Sequence, residues 1–441
     1  MSCAAGFSWR RITLSSLAIG ESGVTLLPHL QSALGICVIL ASAWLLSENR
    51  HAFPWRVVLG GLALQAALAL LLLKVPLAQR ALFGLNGAVG ALTTATRAGT
   101  AFVFGVIGGG AATTIGNASD FAGFAFSVLP LVIVISALSA LLWHWRILPI
   151  VINAIAFVLR RVMGLGGAIG LGAGATIFLG MVEAPLLIRP YLARITRSEL
   201  FILCTVGLAT VAGTVFALYA TILKNVVPGA IGHILVASMM SLPSAIIVAR
   251  IMVPGEVETG SAEQSAGALY RSSMDAVARG TEDGLKIWLQ IVAMLIVMLA
   301  LVALGNEILT LVPPVWGTPL TLERIFGWLF APVVWLYGVP WHEATLAGSL
   351  MGTKTILNEL VAYLRLAALP PASLDPRTTL IMIYAMCGFA NLGSVGIMIA
   401  GMSTLMPERR DEIVPLAMRA IVSGTMASGM TGAMIGLLPV T

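Results

Sequence analysis

Charge is what this chain of 441 residues lacks, with only 10% of its positions occupied by Asp, Glu, Lys or Arg. Soluble domains carry about a quarter, so a water-soluble globular protein is excluded. The four cysteines, Cys3, Cys37, Cys204 and Cys387, stand too far apart for a metal-ligand spacing and outline no disulfide framework. Neither a His-Glu-x-x-His zinc motif nor a Gly-x-x-x-x-Gly-Lys-Ser/Thr phosphate loop occurs, which leaves a membrane enzyme without catalytic groups. The reading is therefore not an enzyme, and no organic cofactor is expected. Hydrophobic residues, by contrast, make up 59% of the chain and mean hydropathy is +0.98. The bilayer is the solvent. A net charge of +6 does not indicate nucleic acid here, because the basic residues flank apolar runs in the manner of the positive-inside rule. Placing the N-terminus outside gathers most of them, Arg50, Arg146, Arg197, Arg250 and Arg419 included, on the inner side.

Eight apolar runs approach the ~20 residues that a helical crossing requires: 30–46, 57–73, 121–143, 200–223, 231–249, 287–304, 380–405 and 414–440. Residues 1–28 read as an N-terminal extension, and 82–105, punctuated by Gly, Thr and Arg97, as a helix lying in the interface. Two further apolar stretches, 164–190 and 322–364, are interrupted by Gly and Pro beside a carboxylate. They read as re-entrant hairpins, whose non-helical tips are tolerated at membrane depth only inside protein or along a cavity. The expected organisation is an all-α multi-pass membrane protein with scaffold helices over 29–163, a first transport repeat over 164–254, a polar loop and scaffold span over 255–310, and a second repeat over 320–441. Each repeat runs hairpin, span, span, and the intervening span inverts the second, as in secondary transporters.

The span following each hairpin carries a breaker cluster at its centre, Gly207 to Gly213 in the first repeat and Cys387 to Ser394 in the second. Unwinding there would free backbone groups for a polar solute or ion; close packing through small residues is the alternative reading. Both hairpins hold an acid, Glu183 and Glu359. Since a charge at the bilayer centre costs at least ~2.5 kcal/mol, each is a pathway candidate by default. Pairing of Glu359 with Lys354, and of Glu183 with Arg189, are the structural alternatives. Glu343, beside His342 and Pro340, is a weaker candidate that caps a helix on the plainer reading. Thr196 and Glu199 have capping-box spacing and mark a helix start.

At these residues the chain resembles the concentrative nucleoside transporters. The resemblance is carried by Gly352-x-Lys354-x-x-x-Asn358-Glu359-x-Val361-Ala362-Tyr363, with Leu360 where the family usually has Phe, and by Cys387-Gly388-Phe389-Ala390-Asn391. Three more motifs follow the family's order: Gly338-Val339-Pro340-Trp341-x-Glu343-Ala344-Thr345, Glu183-Ala184-Pro185-Leu186-Leu187-x-Arg189-Pro190 and Gly99-Thr100-x-Phe102-x-Phe104-Gly105. It implies a homotrimer in a bacterial inner membrane, whose transport domain moves like an elevator against a scaffold. It also implies that Glu359, Asn391 and Ser394 hold ribose hydroxyls, that Phe389 and Val215 line the pocket, and that Met181, Val182 and Glu183 occupy the segment addressing the base. Charge-assisted acceptance from a vicinal diol explains the need for an acid.

The sequence departs from the family in two places. Hairpin 1 usually reads Gly-Gln-Thr/Ser-Glu, whereas here it is Gly180-Met181-Val182-Glu183, so polar groups that would read a base are replaced by apolar ones. The sodium site of sodium-coupled members maps onto Thr176, Leu179, Thr210 and Val211, where an Asn amide has become the Thr176 hydroxyl. Sodium and protons are both left as coupling ions, with protons, carried by Glu183 or Glu359, preferred. The expectation is a cation-coupled nucleoside symporter; the alternatives are a symporter for another ribosyl-type or base-like solute, and a passive channel. Its expected partners are a small-molecule nucleoside, membrane lipid and two further copies of itself, with no nucleic acid.

Overall fold

The computed structural model describes residues 21–108, 124–255, 269–315 and 317–438. Residues 1–20 of the predicted extension, and Glu256, Glu258 and Glu263 of the polar loop, lie outside the described residues. The chain opens with α1 (Glu21–Leu45), α2 (Trp55–Lys74) and α3 (Pro76–Phe104), and a single turn, α4 (Phe124–Ser127), leads into α5 (Leu131–His144). A first series follows: α6 (Ile147–Met163), α7 (Gly167–Leu179), α8 (Glu183–Leu187), α9 (Arg189–Leu192), α10 (Arg197–Ala209), α11 (Gly213–Leu223) and α12 (Ala230–Met252). The 37-residue α13 (Ser273–Leu309) separates it from a second: α14 (Leu322–Leu336), α15 (Trp341–Ile356), α16 (Glu359–Ala368), α17 (Pro376–Met386), α18 (Leu392–Leu405) and α19 (Arg410–Leu437). The two series share one order of a leading helix, a hairpin, a broken helix and a long helix.

Among the described residues, seven helices are long and apolar enough to cross a membrane. The count falls below the eight expected runs because 380–405 is not continuous; it divides into α17 and α18 around Cys387 to Asn391. The stretch read as one hairpin, 322–364, is three helices, with α14 and α15 meeting at 115°, so the hairpin proper is α15 and α16. Its counterpart is α7 and α8, preceded by α6, a helix that the search for long apolar runs passes over. The reason is length and charge: α6 has only 17 residues and ends on Arg160 and Arg161, so although it buries Leu148, Ile152, Ala156, Leu159 and Met163 and exposes Ile150 and Phe157, its apolar run is too short for a crossing.

The two ends of the molecule are tied by polar contacts and the middle by packing. At one end Glu48 accepts from Arg197, 2.9 Å away, and from Arg419, while Ser198 donates to the Val253 carbonyl at 2.6 Å. The Thr196 hydroxyl and Glu199 carboxylate form the expected capping box at the start of α10. The other end is held by Arg377, which donates to the carbonyls of Gly338 at 2.6 Å and Gly436 at 2.7 Å. Glu343 belongs there too, accepting from the Asp375 amide at 2.8 Å, and so fastens the start of α17 to α15. Between the ends, α19 packs against α1, α10, α12 and α17. Buried hydroxyl pairs such as Thr205 and Ser423, at 2.8 Å, join helices where no water is present to compete.

Candidate functional site

The site forms where the two broken helices cross. In the first, Thr210 to Ala212 are extended rather than helical, with Thr210 at φ −109° and ψ 169° and Ala212 at φ −75° and ψ 147°. In the second, Cys387 leaves α17 and Asn391 begins α18 at φ −146° and ψ 166°. The breaks touch backbone to backbone, with the Phe389 amide donating to the Thr210 carbonyl at 3.3 Å. Only glycine fits at 388, because a Cβ there would stand 2.7 Å from the Ala209 carbonyl oxygen.

Two helix N-termini, those of α16 and α18, converge on this crossing, and each is capped by its own asparagine. Asn358 Oδ1 accepts from the Val361 amide and Asn391 Oδ1 from the Ser394 amide, both at 2.8 Å. Because Oδ1 of Asn391 is committed to the cap, its NH2 points the other way, and Nδ2 donates to Glu359 Oε2 at 3.1 Å. Tyr219 of α11 donates to Glu359 Oε1 at 2.6 Å, a length typical of a charge-assisted O–H to carboxylate bond. The Tyr219 ring is fixed in turn against Tyr363, centroids 5.2 Å apart, and Tyr363 donates to the Ile383 carbonyl at 2.8 Å. Glu359, 4% exposed, is thus a buried acid at a helix N-terminus, with a donor on each oxygen and lone pairs to spare.

These groups border a cavity of about 170 Å³. All eight residues expected at the substrate site line it: Met181, Val182, Glu183, Val215, Glu359, Phe389, Asn391 and Ser394. Of the four expected at the ion site, Leu179 also lines it, while Thr176, Thr210 and Val211 are buried behind the wall. Thr210 donates back to the Val206 carbonyl at 2.9 Å, Thr176 to the Ala173 carbonyl, and the Val211 carbonyl accepts from Ser238 at 3.2 Å. Hairpin 1 turns at Gly180, whose φ of 94° needs glycine, and places Met181 against Gly207 and Val182 against Gly401. Glu183 heads α8 and is exposed to the cavity; no ion pair joins it to Arg189 among the described residues. Lys354 is buried and donates to Ser428 at 3.3 Å, and no ion pair joins it to Glu359 among the described residues.

The sequence reading missed four polar groups in the wall: Thr214, Tyr219, Asn358 and Gln290 of α13. Tyr219 and Gln290 left one faint signal, each being an isolated hydrogen-bonding side chain within an apolar run. Asn358 was quoted only as part of a motif. An acid with fixed donors, a helix N-terminus and an aromatic side chain together offer hydrogen-bond acceptors, donors and a flat apolar surface to a small polar solute.

Comparison with known proteins gives the site a family. Sequence profiles match residues 34–107 (Na+ dependent nucleoside transporter N-terminus), 125–226 (nucleoside recognition, "Gate") and 233–436 (Na+ dependent nucleoside transporter C-terminus). The chain is 34% identical over 411 residues to the nucleoside permease NupC of Helicobacter pylori, covering 92% of this chain and 97% of that one. The chain belongs to the concentrative nucleoside transporter family. It is also 31% identical over 430 residues to sodium/nucleoside cotransporter 1 of Rattus norvegicus, covering 93% of this chain and 64% of that one. A solved structure described as CNTnw in an inward-facing substrate-bound state superposes with a TM-score of 0.85 at 35% identity, over 93% of this chain and 98% of that one. As a concentrative nucleoside transporter the chain is a helical membrane protein whose relatives transport solutes and are not enzymes.

Proposed function

We propose that this protein is a cation-coupled symporter that imports nucleosides across a bacterial inner membrane, as a homotrimer, by elevator-type alternating access. The observation that carries the reading is the Glu359 carboxylate, held by Tyr219 and Asn391 beside the α18 N-terminus inside the cavity. In this role its remaining lone pairs accept from the two ribose hydroxyls, and Ser394 and Asn391 complete the sugar contacts. Phe389, Val215, Met181 and Val182 supply an apolar slot for the base.

The packing supports movement of one part against another. Helix α13 locks onto α5 through Gly280 and Gly284, where an added Cβ would lie 2.8 Å from the Ala137 Cα and 2.6 Å from the Ile133 Cα. Toward the cavity the same helix presents Ile287, Gln290, Ile291 and Met294, and Met294 and Met298 rest on Gly393 of α18. Flexible methionines form a surface that tolerates sliding, whereas the glycine seam against α5 does not. In this reading α5 and α13 belong to the scaffold, and the two hairpins with the broken helices to the moving part.

Protons are the proposed coupling ion. An Asn amide oxygen, the stronger dipole, is replaced by the Thr176 hydroxyl, and two acids face the cavity with no ion pair among the described residues: Glu359, held by Tyr219 and Asn391, and Glu183. Sodium is the second reading, favoured by the description of the matching profiles. Uptake of radiolabelled adenosine and uridine into proteoliposomes tests both. Uphill accumulation that rises with external acidity, collapses with a protonophore and ignores exchange of sodium for choline supports proton symport, and Glu183→Gln then loses the acid stimulation. Dependence on sodium establishes the second reading, and purely downhill flux refutes symport.

A further inference from the structure

Hairpin 1 offers only Met181 and Val182 where a base would be read, yet the cavity contains another amide. Gln290 lies on α13 within the apolar run 287–304, and with Ile287, Ile291 and Met294 it completes an i, i+3, i+4, i+7 face lining the cavity. Its side chain has no hydrogen-bond partner among the described residues and is exposed to the cavity. A primary amide in a membrane span is retained at a cost unless it faces water or a ligand. Its position along the cavity is also defined. A second, apolar groove of about 730 Å³ shares Val182, Gln290, Met294, Gly393 and Ile397 with the cavity, but not Glu359, Asn391, Ser394 or Phe389. Gln290 therefore stands at the end of the cavity bordered by Val182 of hairpin 1 and Gly393 and Ile397 of α18, which the groove shares, and the groove does not reach the acid.

We propose that Gln290 is the group that reads the polar edge of the nucleobase, replacing from the α13 wall the hydrogen bonds that hairpin 1 has lost. The inference rests on the nucleoside reading above. A carboxamide offers one acceptor and two donors, and paired with a base edge it forms two hydrogen bonds at once, as Gln does with adenine N6 and N7. Rotation of the amide by half a turn exchanges donor and acceptor, so one side chain serves amino bases and oxo bases alike. The expected selectivity is broad. Because α13 is placed in the scaffold, this contact is made from the static side, so the base edge is read in the state in which hairpin 1 stands opposite Gln290.

The test is equilibrium binding to the purified full-length chain in detergent, with adenosine, inosine, cytidine, uridine and a probe lacking a base, methyl β-D-ribofuranoside. Gln290→Met is expected to weaken all four nucleosides about 5- to 150-fold, the range for two neutral hydrogen bonds, and to leave the riboside unchanged. Gln290→Ala, which leaves open space instead of an apolar replacement, is expected to do the same, so misfolding of one variant does not decide the matter. Unchanged nucleoside affinities in both variants, with Glu359→Gln still impaired, overturn the base assignment and leave the nucleoside reading standing. A parallel loss for the riboside places Gln290 on the sugar and overturns it too. Wild-type protein that binds none of the four nucleosides overturns both.

Discussion

Replacing Glu359 by Gln separates the charge of this side chain from its shape. The neighbours dictate how the substituted amide must sit. Asn391 cannot turn, since its Oδ1 caps α18 through the Ser394 amide, so the new carbonyl oxygen faces Asn391 Nδ2 and the new NH2 faces Tyr219. The Tyr219 hydroxyl, now a donor at 2.6 Å, rotates its proton and accepts instead. Only the rotated Tyr219 proton gives up its acceptor, at about 1–3 kcal/mol, so the variant is expected to fold with a melting temperature moderately below wild type and above that of Glu359→Ala. What disappears is the charge that a vicinal diol would meet. A hydrogen bond to a charged group contributes about 1.5–3 kcal/mol and a neutral one about 0.5–1.5, so two sugar hydroxyls together lose about 2–3 kcal/mol. Ribonucleoside affinity is expected to fall about 30- to 150-fold. Isothermal titration with adenosine, alongside a thermal melt, checks both halves. Affinity within threefold of wild type refutes the sugar role, and a melting temperature as low as that of Glu359→Ala refutes the pairing argument. Glu359→Ala is the contrasting case, because it strands the Tyr219 hydroxyl and the Asn391 NH2; each costs about 1–3 kcal/mol in stability, which the melt detects.

Other perturbations address separate parts of the molecule. Met181→Gln with Val182→Thr restores hydrogen-bonding groups to hairpin 1 and is expected to shift the uridine to adenosine uptake ratio toward uridine by no more than ~200-fold; an unmoved ratio removes hairpin 1 from base selection. Gly388→Ala pushes a methyl group to 2.7 Å from the Ala209 carbonyl oxygen and, by forcing the crossed backbones apart, is expected to cost about 1–3 kcal/mol, seen as a lower melting temperature together with lost uptake; a wild-type melt shows that the crossing yields. Glu48, in the loop after α1, has its carboxyl held below the usual range, first by the hydrogen bond from Arg197 and further by the charges of Arg197 and Arg419. A depressed folded value means that the stabilisation is complete above the unfolded value of about 4.3 and is lost as pH falls through the folded one. Glu48→Gln is therefore expected to melt below wild type at pH 7, with a gap that narrows as pH falls below the unfolded value; a gap that does not change with pH assigns the effect to packing.

The sequence alone was enough to place this chain in a bilayer and to locate its irregularities, because hydropathy and helix breaking are local properties. The scarcity of charge fixes the solvent, and Gly207 to Gly213 and Cys387 to Ser394 mark the breaks whatever surrounds them. The resemblance carried the eight residues expected at the substrate site, all of which line one cavity. Short elements escaped: α6, 17 residues ending on two arginines, is too short for a span search, and α14 merged with the hairpin behind it. Contacts between distant segments were decided only by the tertiary structure. That Tyr219 would meet Glu359, 140 positions away, depends on how α11 packs on α16, and no periodicity encodes it. That Gln290 would face hairpin 1 depends on the rotation of α13, which Gly280 and Gly284 set against α5. A helix registers its own pattern in sequence, but the side chains it shows to a cavity are chosen by the helices it packs against.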